Sequence, residues 1–511
     1  MRSSTVSTIE ALLNRLSDGW EPDHYGLAKE FIQRLKEHLR AEGEIKEINR
    51  DAIRFNLDLS GIHLRGMEDV VCLLLGGDGS STYGAARQFL TEVNTVGRLV
   101  CLLPLTFPAY EAAKSALGQS RCLLLNPDRI REWMDSNLAR DYFKHLLWRQ
   151  VSRRQLVPYS ILLPVQGNMF FGRRGEIERL RDEPDVSFAI AGPGRLGKTS
   201  LVLEYQRQLV HERDPRATRK FYINFFDCND SSDDGIARFI AMHIAPSSRS
   251  DRVTNDDLVQ FLRRQYSLHH GSLELLLDEV DLVCASRAFK SLAKAARQNI
   301  CRLVLCGRSN LLKIALSPDS LLECRVELLR LQSLDHDSAR ELLICPLSDL
   351  GFSLDQPDRI IERLFRLTGR MPHLLQFYGK KLANLAIEEG TDIITQEHLD
   401  TLRWDFETAQ YFISPLGDLT DLESHLVALS LLKDGRQVFS VPLVREIAAK
   451  YELHLSYARI GEICNDLVIN NILAWDEGAF RLANESLPYY ARQMKLLDGQ
   501  LKDAYDRIRS H

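Results

Sequence analysis

Residues 192–200 read Gly192-Pro193-Gly194-Arg195-Leu196-Gly197-Lys198-Thr199-Ser200. They follow the apolar run 187–191 and precede a stretch with helical periodicity, so the pattern G-x-x-x-x-G-K-[ST] stands in the strand, loop and helix context of a phosphate-binding P-loop. Inward-facing backbone N–H groups and a helix N-terminus suit the β-phosphate, and Lys198 can reach the β- and γ-phosphate oxygens. We expect residues 192–200 to hold a nucleotide and the Thr199 hydroxyl to bind Mg²⁺.

A second apolar run, 274–278, ends in Asp278 and is followed directly by Glu279. A carboxylate at the end of a buried strand beside a P-loop can approach Mg²⁺ or orient a water on it. The glutamate next to it is placed to polarise the attacking water. Asp281 is interpreted as a loop or helix-capping residue. We therefore predict that Thr199 and Asp278 are the metal ligands and that Glu279 acts in catalysis together with Lys198.

A third run, 302–306, leads to Arg308. A strand in this place would carry Arg308 toward the γ-phosphate, where its guanidinium can bond phosphate oxygens and register their loss. Arg308 is therefore the third predicted catalytic residue, although an arginine at a strand end can also be a plain surface residue. Arg297, on a basic helix just before this run, is a weaker candidate for an arginine finger acting on a neighbouring subunit.

The order of apolar and periodic segments predicts a doubly wound α/β core with flanking domains. Five short apolar runs between 187 and 330 alternate with helical stretches, as expected for parallel strands covered on both faces. Helical periodicity then dominates to about 410, and three helices followed by a hairpin suggest a winged helix. The predicted domains are an N-terminal α/β domain at 1–156, a linker at 157–167, a P-loop core of the ASCE type at 168–334, a helical lid at 335–412, and a winged helix with a C-terminal helix at 413–511.

Two further motifs flank the P-loop: Phe170-Phe171-Gly172-Arg173-Arg174 about twenty residues before it, and Thr368-Gly369-Arg370-Met371-Pro372 at the start of a lid helix. Together with the P-loop, the acidic strand end and the winged helix, residues of about 168–495 resemble the STAND class of P-loop ATPases, in its archaeal-ATPase-like branch among the AAA+ relatives. The resemblance implies ATP or ADP with Mg²⁺ as ligands. It also implies that Phe171, Gly172, Arg173 and Pro372 contact the nucleotide on its adenine side. The chain departs from the family at Arg174-Gly175-Glu176 and at Arg370-Met371.

The resemblance also implies a regulatory function. Such proteins are slow ATPases that change conformation or assembly between ADP and ATP states, in signalling or in defence. For this chain we expect a molecular switch that controls its N-terminal domain or an unidentified protein partner, and that self-associates when ATP is bound.

Charge weighs against the alternative of an AAA+ ATPase that acts on DNA through its winged helix, as origin or transposition ATPases do. Residues 420–495 hold eight basic and ten acidic residues, and the predicted recognition helix carries Glu462 and Asp466 beside Arg459. Binding to DNA phosphates normally requires a clustered basic face. The sequence therefore leaves DNA as a possible partner that it does not favour.

From about residue 69 the N-terminal segment alternates apolar runs with helical stretches, which predicts a small α/β domain with a mainly parallel sheet. This domain has two competing interpretations. Residues 97–134 resemble the second half of Mrr-type restriction-endonuclease-like domains, whereas an unrelated flavodoxin-like α/β domain fits nearly as well. A nuclease of the Mrr kind needs an acidic residue and then an acidic-x-Lys strand to hold Mg²⁺. After Asp58 or Asp69 the strand at 70–75 has no lysine. An ATP-gated nuclease is thus a second alternative that we disfavour, and the fold is expected to be degenerate.

The composition is that of an ordinary globular protein, with 45% hydrophobic and 26% charged residues and a formal net charge of −5. The ten cysteines show no C-x-x-C pair, so we expect reduced thiols. The chain starts without a signal peptide, and its apolar runs are too short to cross a membrane. The sequence therefore predicts a cytoplasmic protein.

Overall fold

The computed structural model describes residues 24–493, except for gaps at 40, 42–44, 50–51, 60, 77–79, 94–98, 118–121, 137, 212–219, 248–249, 270–272, 317–325, 403–411, 413–414, 418, 420 and 477. The start of the predicted N-terminal domain and the end of the predicted C-terminal segment lie outside the described residues. None of the helices in the described part of the chain combines the length and the apolar character that a bilayer span requires.

The N-terminal segment contains a five-stranded sheet in the order β1-β2-β3-β4-β5. Its elements are α1 His24–Leu39, β1 Ile45–Asn49, β2 Ala52–Leu57, β3 Val70–Leu75, α2 Ser80–Glu92, β4 Val100–Pro104, α3 Phe107–Leu117, β5 Cys122–Leu124, α4 Pro127–Asp135, α5 Ala139–Gln150 and α6 Arg153–Leu156. The strands β3, β4 and β5 are parallel, as the apolar runs predicted, but β1 and β2 form an antiparallel extension. The sheet is therefore mixed rather than mainly parallel.

The sequence pattern that makes β2 is weaker than that of β3. Along β2 the buried side chains of Ile53, Phe55 and Leu57 alternate with Arg54 and Asn56, which gives half-buried strand periodicity over only six residues. Every residue of β3 is buried, because helices or strands cover both of its faces. A short alternating segment is easily overlooked beside a continuous apolar run, which is why the antiparallel pair was not predicted.

The central segment holds a five-stranded sheet in which all pairs are parallel, in the order β10-β6-β9-β8-β7. Its elements are α7 Arg174–Asp182, β6 Ser187–Ala191, α8 Lys198–His211, β7 Lys220–Asn224, α9 Asp233–Ile244, α10 Asn255–Leu268, β8 Glu274–Asp278, α11 Arg287–Arg297, β9 Arg302–Gly307, α12 Ser309–Leu316 and β10 Val326–Arg330. Each predicted apolar run is a strand. This is the predicted doubly wound fold of a P-loop ATPase, with β6, β8 and β9 adjacent at its centre.

The remaining chain forms a helical lid and a winged helix. The lid elements are α13 His336–Asp349, β11 Ser353–Leu354, α14 Pro357–Thr368, α15 Pro372–Glu389, β12 Ile393–Ile394 and α16 Gln396–Leu402. The winged-helix elements are α17 Leu422–Asp434, β13 Val438–Phe439, α18 Val441–Ala449, α19 Tyr457–Ile469, β14 Leu473–Asp476, β15 Ala479–Leu482 and α20 Ser486–Gln493. Three helices and an antiparallel sheet in the order β13-β15-β14 confirm the predicted architecture.

The hydrophobic core does not stop at the predicted linker. One continuous cluster of buried side chains runs from α1 through the N-terminal sheet to the P-loop core and the lid. Residues 157–166 contain no helix or strand, yet Tyr159 is fully buried and its hydroxyl donates to the carbonyl of Leu343 at 3.0 Å. The linker segment is therefore fixed to α13 of the lid.

Candidate functional site

The P-loop occupies the turn between β6 and α8, and its lysine is bonded within the loop. The Lys198 Nζ donates to the carbonyls of Gly192 at 2.9 Å and Pro193 at 2.8 Å. Gly197 adopts φ 88, a left-handed conformation that favours glycine. Burial lowers the pKa of Lys198, and the nearby Arg308 lowers it further. A phosphate group would relieve this cost because it supplies negative charge to the same ammonium.

Thr199 and Asp278, the two predicted metal ligands, are in direct contact. The Thr199 Oγ1 donates to Asp278 Oδ2 at 2.6 Å, and the Tyr222 hydroxyl donates to the same oxygen at 3.0 Å. Asp278 is buried at the end of β8. A hydroxyl and a carboxylate are the oxygen ligands that Mg²⁺ prefers. Tyr222, at the third position of β7, was not singled out in the sequence, although its place on the strand next to β8 could have indicated it.

Glu279 leaves β8 in a left-handed backbone conformation with φ 53, and its N–H donates to Asp278 Oδ1 at 2.9 Å. This conformation is uncommon for a residue other than glycine, and such residues cluster at functional sites. Glu279 lies at the same cavity as the P-loop lysine and threonine, Lys198 and Thr199.

Arg308 lies at the end of β9 and also lines this cavity. Its backbone N–H donates to Asp281, which also accepts from the N–H groups of Asn310 at 2.9 Å and Leu311 at 3.3 Å. Asp281 therefore caps the start of α12, in agreement with its interpretation from the sequence as a loop or helix-capping residue. The cap joins the turn that holds Glu279 to the turn that holds Arg308, so their positions are coupled.

The cavity has a volume of about 500 Å³, within the usual range for small-ligand sites. It brings together most of the predicted site residues, which are Gly194, Arg195, Leu196, Gly197, Lys198, Thr199, Ser200, Glu279, Arg308, Phe171, Arg173 and Pro372. Gly192 and Pro193 lie at its edge through their contacts with Lys198. Gly172 does not line it and faces an adjoining outer cleft of about 900 Å³, which Phe171 and Arg173 also line.

The predicted linker also lines the cavity, which was not expected. Residues 160–165 form part of its wall, with Leu162 and Leu163 exposed. The N–H of Ser160 donates to Gln376 Oε1 at 3.2 Å, and the N–H of Val165 donates to Ser200 Oγ at 3.1 Å. The segment is therefore tied to the lid at one end and to the P-loop helix at the other.

His373, next to Pro372, is a further cavity residue that sequence reasoning missed. Burial lowers the pKa of its imidazole to about 4, and the charge of Arg195 contributes to the shift. The imidazole is therefore neutral at pH 7. The only sequence signal was its position at the start of α15, directly after the lid motif.

The lid motif 368–372 contacts the winged helix as well as the cavity. Gly369 has φ 59, and a Cβ added to it would clash with the carbonyl oxygen of Ala483. The side-chain amide of Asn471 lies 2.7 Å from the sulfur of Met371. The N–H of Glu485 donates to the carbonyl of Arg366 at 3.1 Å. The segment that carries Pro372 to the cavity is therefore also a segment of the lid that contacts the winged helix.

The predicted recognition helix, α19, presents an arginine that is already paired. Arg459 forms ion pairs with Asp421 at 3.0 Å, Glu423 at 2.7 Å and Glu462 at 3.0 Å. These carboxylates raise the pKa of Arg459 and neutralise its charge locally. Such a helix offers little attraction to DNA phosphates.

No family model matches the chain, and neither does any curated protein. Solved structures do. The Walker-type ATPase of Pyrococcus abyssi is 16% identical, with a TM-score of 0.49 over 65% of this chain and 99% of that one. The Aeropyrum pernix ORC2 protein in ADPNP–ADP complexes is 16% identical, with a TM-score of 0.48 over 68% and 97%. The Aeropyrum pernix ORC1 protein in complex with DNA is 16% identical, with a TM-score of 0.38 over 70% and 95%. Likenesses this distant leave the activity open, so the function rests on this chain's own residues.

Proposed function

We propose that the chain binds and hydrolyses ATP and works as a STAND-like molecular switch, in which ADP and ATP states differ in the arrangement of the lid, the winged helix and the N-terminal domain. The observation that carries the proposal is the double contact of residues 368–372, which line the nucleotide cavity through Pro372 and hold the winged helix through Gly369 and Met371. If nucleotide binding moves Pro372, the contacts of Gly369 and Met371 with the winged helix change as well.

The proposed roles follow from the placement of each group. Residues 192–200 and Lys198 hold the phosphates, and Phe171, Arg173 and Pro372 lie on the base side, with Gly172 shaping the turn between them. Glu279 polarises the attacking water, and Arg308 bonds the γ-phosphate. The Thr199 hydroxyl and the Asp278 carboxylate suit Mg²⁺, which supplies positive charge to the phosphates when bound.

We also propose that the predicted domains, with the boundaries given above, are the units of the switch. The linker segment at 157–167 is then part of the nucleotide site. The downstream element would be the N-terminal domain or a protein partner, in a regulator of the signalling or defence type. Self-association in the ATP state would bring exposed surfaces such as the end of α11, with Arg297, to a second copy.

Steady-state ATP turnover of the purified protein, with and without duplex DNA, tests the proposal. We expect slow turnover that DNA does not change, with ADP retained through purification and Lys198→Ala as the blank. Particle mass measured with ADP and with ATP tests self-association. A wild-type protein that shows neither nucleotide binding nor turnover above the Lys198→Ala blank would refute the switch.

A second candidate is ATP-dependent action on DNA, which the winged-helix architecture favours. Its wing exposes Trp475, and Arg481 lies on the neighbouring strand. The ion pairs of Arg459 oppose it, so we rank it below the switch. Duplex binding that weakens steeply with salt, together with turnover accelerated by DNA, would reverse that order.

Nuclease activity of the N-terminal domain has less support. The element order β4, α3, β5, α4 agrees with the resemblance to Mrr-type domains. However, all six residues of β3 are apolar, and Asp69 at its start accepts a hydrogen bond from Asn56 at 2.9 Å. A degenerate domain without cutting activity is proposed on these grounds. Mg²⁺-dependent cleavage of plasmid DNA would contradict it.

A further inference from the structure

The loop between β2 and β3 reaches out of the N-terminal domain and contacts the nucleotide side of the P-loop core. At its tip the imidazole of His63 stacks on the ring of Phe171, with centroids 5.2 Å apart and planes at 26°. Stacked aromatic pairs stabilise a contact by more than the area they bury accounts for. A residue of the N-terminal domain therefore contacts a residue that is proposed to line the base side of the nucleotide site.

Phe171 has a different environment on each side. It lines the nucleotide cavity together with the P-loop, and it lines the outer cleft together with His63. His63 lines only the outer cleft. The imidazole thus contacts Phe171 on the side of the outer cleft.

His63 is itself held in place by the lid. Its backbone N–H donates to Asp349 Oδ2 at 2.7 Å, and its Nδ1 lies 3.0 Å from the same oxygen. The other oxygen of Asp349 accepts from Lys144 of α5 at 3.0 Å, and the indole N–H of Trp148 donates to the Asp349 carbonyl at 3.1 Å. Burial would raise the pKa of Asp349, but the hydrogen bonds from His63 and Lys144 outweigh it and hold that pKa below its usual value. The end of α13 is thereby joined to two parts of the N-terminal domain.

A second set of contacts fixes the same loop to the segment that precedes Phe171. The side-chain amide of Asn168 donates to the carbonyl of Ile62 at 2.9 Å, and its backbone N–H donates to Glu68 Oε1 at 2.5 Å. These bonds lie on either side of His63 along the loop. They limit how far Phe171 and His63 can separate while the N-terminal domain stays in contact.

We propose that His63 is a positioning residue for the nucleotide site, acting through Phe171, so that contact by the N-terminal domain sets the affinity for nucleotide. This inference rests on the proposed function, because it assigns regulation to the same site. Coupling between two sites is reciprocal, so nucleotide binding strengthens the contact of the N-terminal domain by the same factor. His63 touches no reacting group, and its effect falls on affinity rather than on turnover at saturation.

The test is a set of variants in the full chain, with a fluorescent ADP analogue as the probe of affinity. His63→Ala removes ring and hydrogen bond, His63→Asn keeps a side-chain donor without the ring, and His63→Phe keeps the ring without the donor. We expect the first two to raise the Kd by roughly 5- to 150-fold, the usual span of such couplings. We expect His63→Phe to restore affinity to within a few-fold of wild type, with kcat at saturating ATP unchanged throughout.

Arg154→Ala is the matched control for a general loosening of the interface. It breaks an ion pair with Glu388 of the lid in which both side chains are exposed, and neither residue lines the nucleotide cavity or the outer cleft. Its Kd should equal that of wild type. If His63→Ala does not fold, the Kd values of His63→Asn and His63→Phe are enough to test whether the ring contact sets the affinity.

Equal affinities for wild type, His63→Asn and His63→Phe would overturn the inference while leaving the switch intact. A loss of kcat in proportion to affinity, or a loss equal in His63→Phe and His63→Asn, would also overturn it, because the ring contact would not be the cause. Failure of the wild-type protein to bind the ADP analogue would instead refute the proposed function.

Discussion

At the scale of single residues, variants of Lys198 and Glu279 test the proposed phosphate-binding and water-activating roles separately. The Lys198 ammonium donates hydrogen bonds to the carbonyls of Gly192 and Pro193. A bound phosphate would attract the ammonium away from these carbonyls. We predict that Lys198→Ala weakens ATP binding by roughly 100-fold or more. The variant loses the contacts of the ammonium with the β- and γ-phosphates, and two such charge-assisted contacts contribute about 3 kcal/mol. Equilibrium dialysis measures it.

Glu279→Gln is the companion variant, because it keeps the size of the side chain and removes its basicity. It should hold ATP as tightly as wild type and lose at least about 100-fold in kcat, the usual contribution of a general base. Wild-type occupancy in Lys198→Ala would contradict the assignment of the P-loop lysine. Wild-type turnover in Glu279→Gln would remove Glu279 from catalysis.

His373 makes stability depend on pH in a defined window. Its pKa is about 4 in the folded chain against an ordinary value of 6.5, so between these values the unfolded state binds more protons. Stability then falls as pH falls, by about 2 kcal/mol from pH 7.5 to pH 5. Above pH 7 the term vanishes. We expect His373→Gln to show a shallower loss of melting temperature over this range in thermal unfolding, whereas an identical pH profile would show that His373 is not held neutral.

At the scale of elements, Gly369 is a point of close approach between the lid and the winged helix. Gly369 ends α14 with φ 59, and a Cβ there would lie against the carbonyl of Ala483. We predict that Gly369→Ala loosens the winged helix and speeds the release of bound ADP by roughly tenfold, which corresponds to about 1.4 kcal/mol. Stopped-flow release of a fluorescent ADP analogue measures the rate.

Gly390→Ala is the matched control for this prediction. Gly390 ends α15 with φ 67, and nothing lies within 4 Å of a Cβ built there. Both substitutions carry the left-handed backbone cost of about 1 kcal/mol, but only Gly369→Ala meets the winged helix. If both variants released ADP at one rate, the contact at Gly369 would have no part in holding the nucleotide.

The central sheet and the P-loop could be predicted from sequence because their signals are local. A strand buried on both faces is a continuous apolar run, and the loop after β6 carries its own motif. The wall formed by residues 160–165, the imidazole of His373 and the contact of His63 with Phe171 depend on segments far apart in the chain. A hydrogen bond between Ser160 and Gln376 leaves no trace in the spacing of either residue. A stretch that contains prolines and a glycine and lacks helix or strand periodicity has the pattern of a linker even when it lines a cavity.

At the scale of the whole molecule, the continuous core sets how the parts respond to nucleotide. Buried side chains connect the N-terminal sheet, the P-loop core and the lid without interruption, with Tyr159 enclosed between them. Domains joined by an extensive apolar interface unfold together, whereas domains joined by a flexible linker open separately. The N-terminal sheet should therefore gain stability from a ligand that it does not touch.

Hydrogen exchange of β3 and β4 measures this gain. Ligand at 100 times its Kd stabilises the state that binds it by about 2.7 kcal/mol. If the N-terminal sheet and the P-loop core open as one unit, the slowest amides of β3 and β4 should gain protection equal to that of β6 and β8 when ADP and Mg²⁺ are added. Lys198→Ala should abolish both gains. Protection confined to β6 and β8 would mean that the N-terminal sheet opens by itself, and nucleotide could then control that domain only through its contacts at the surface of the core.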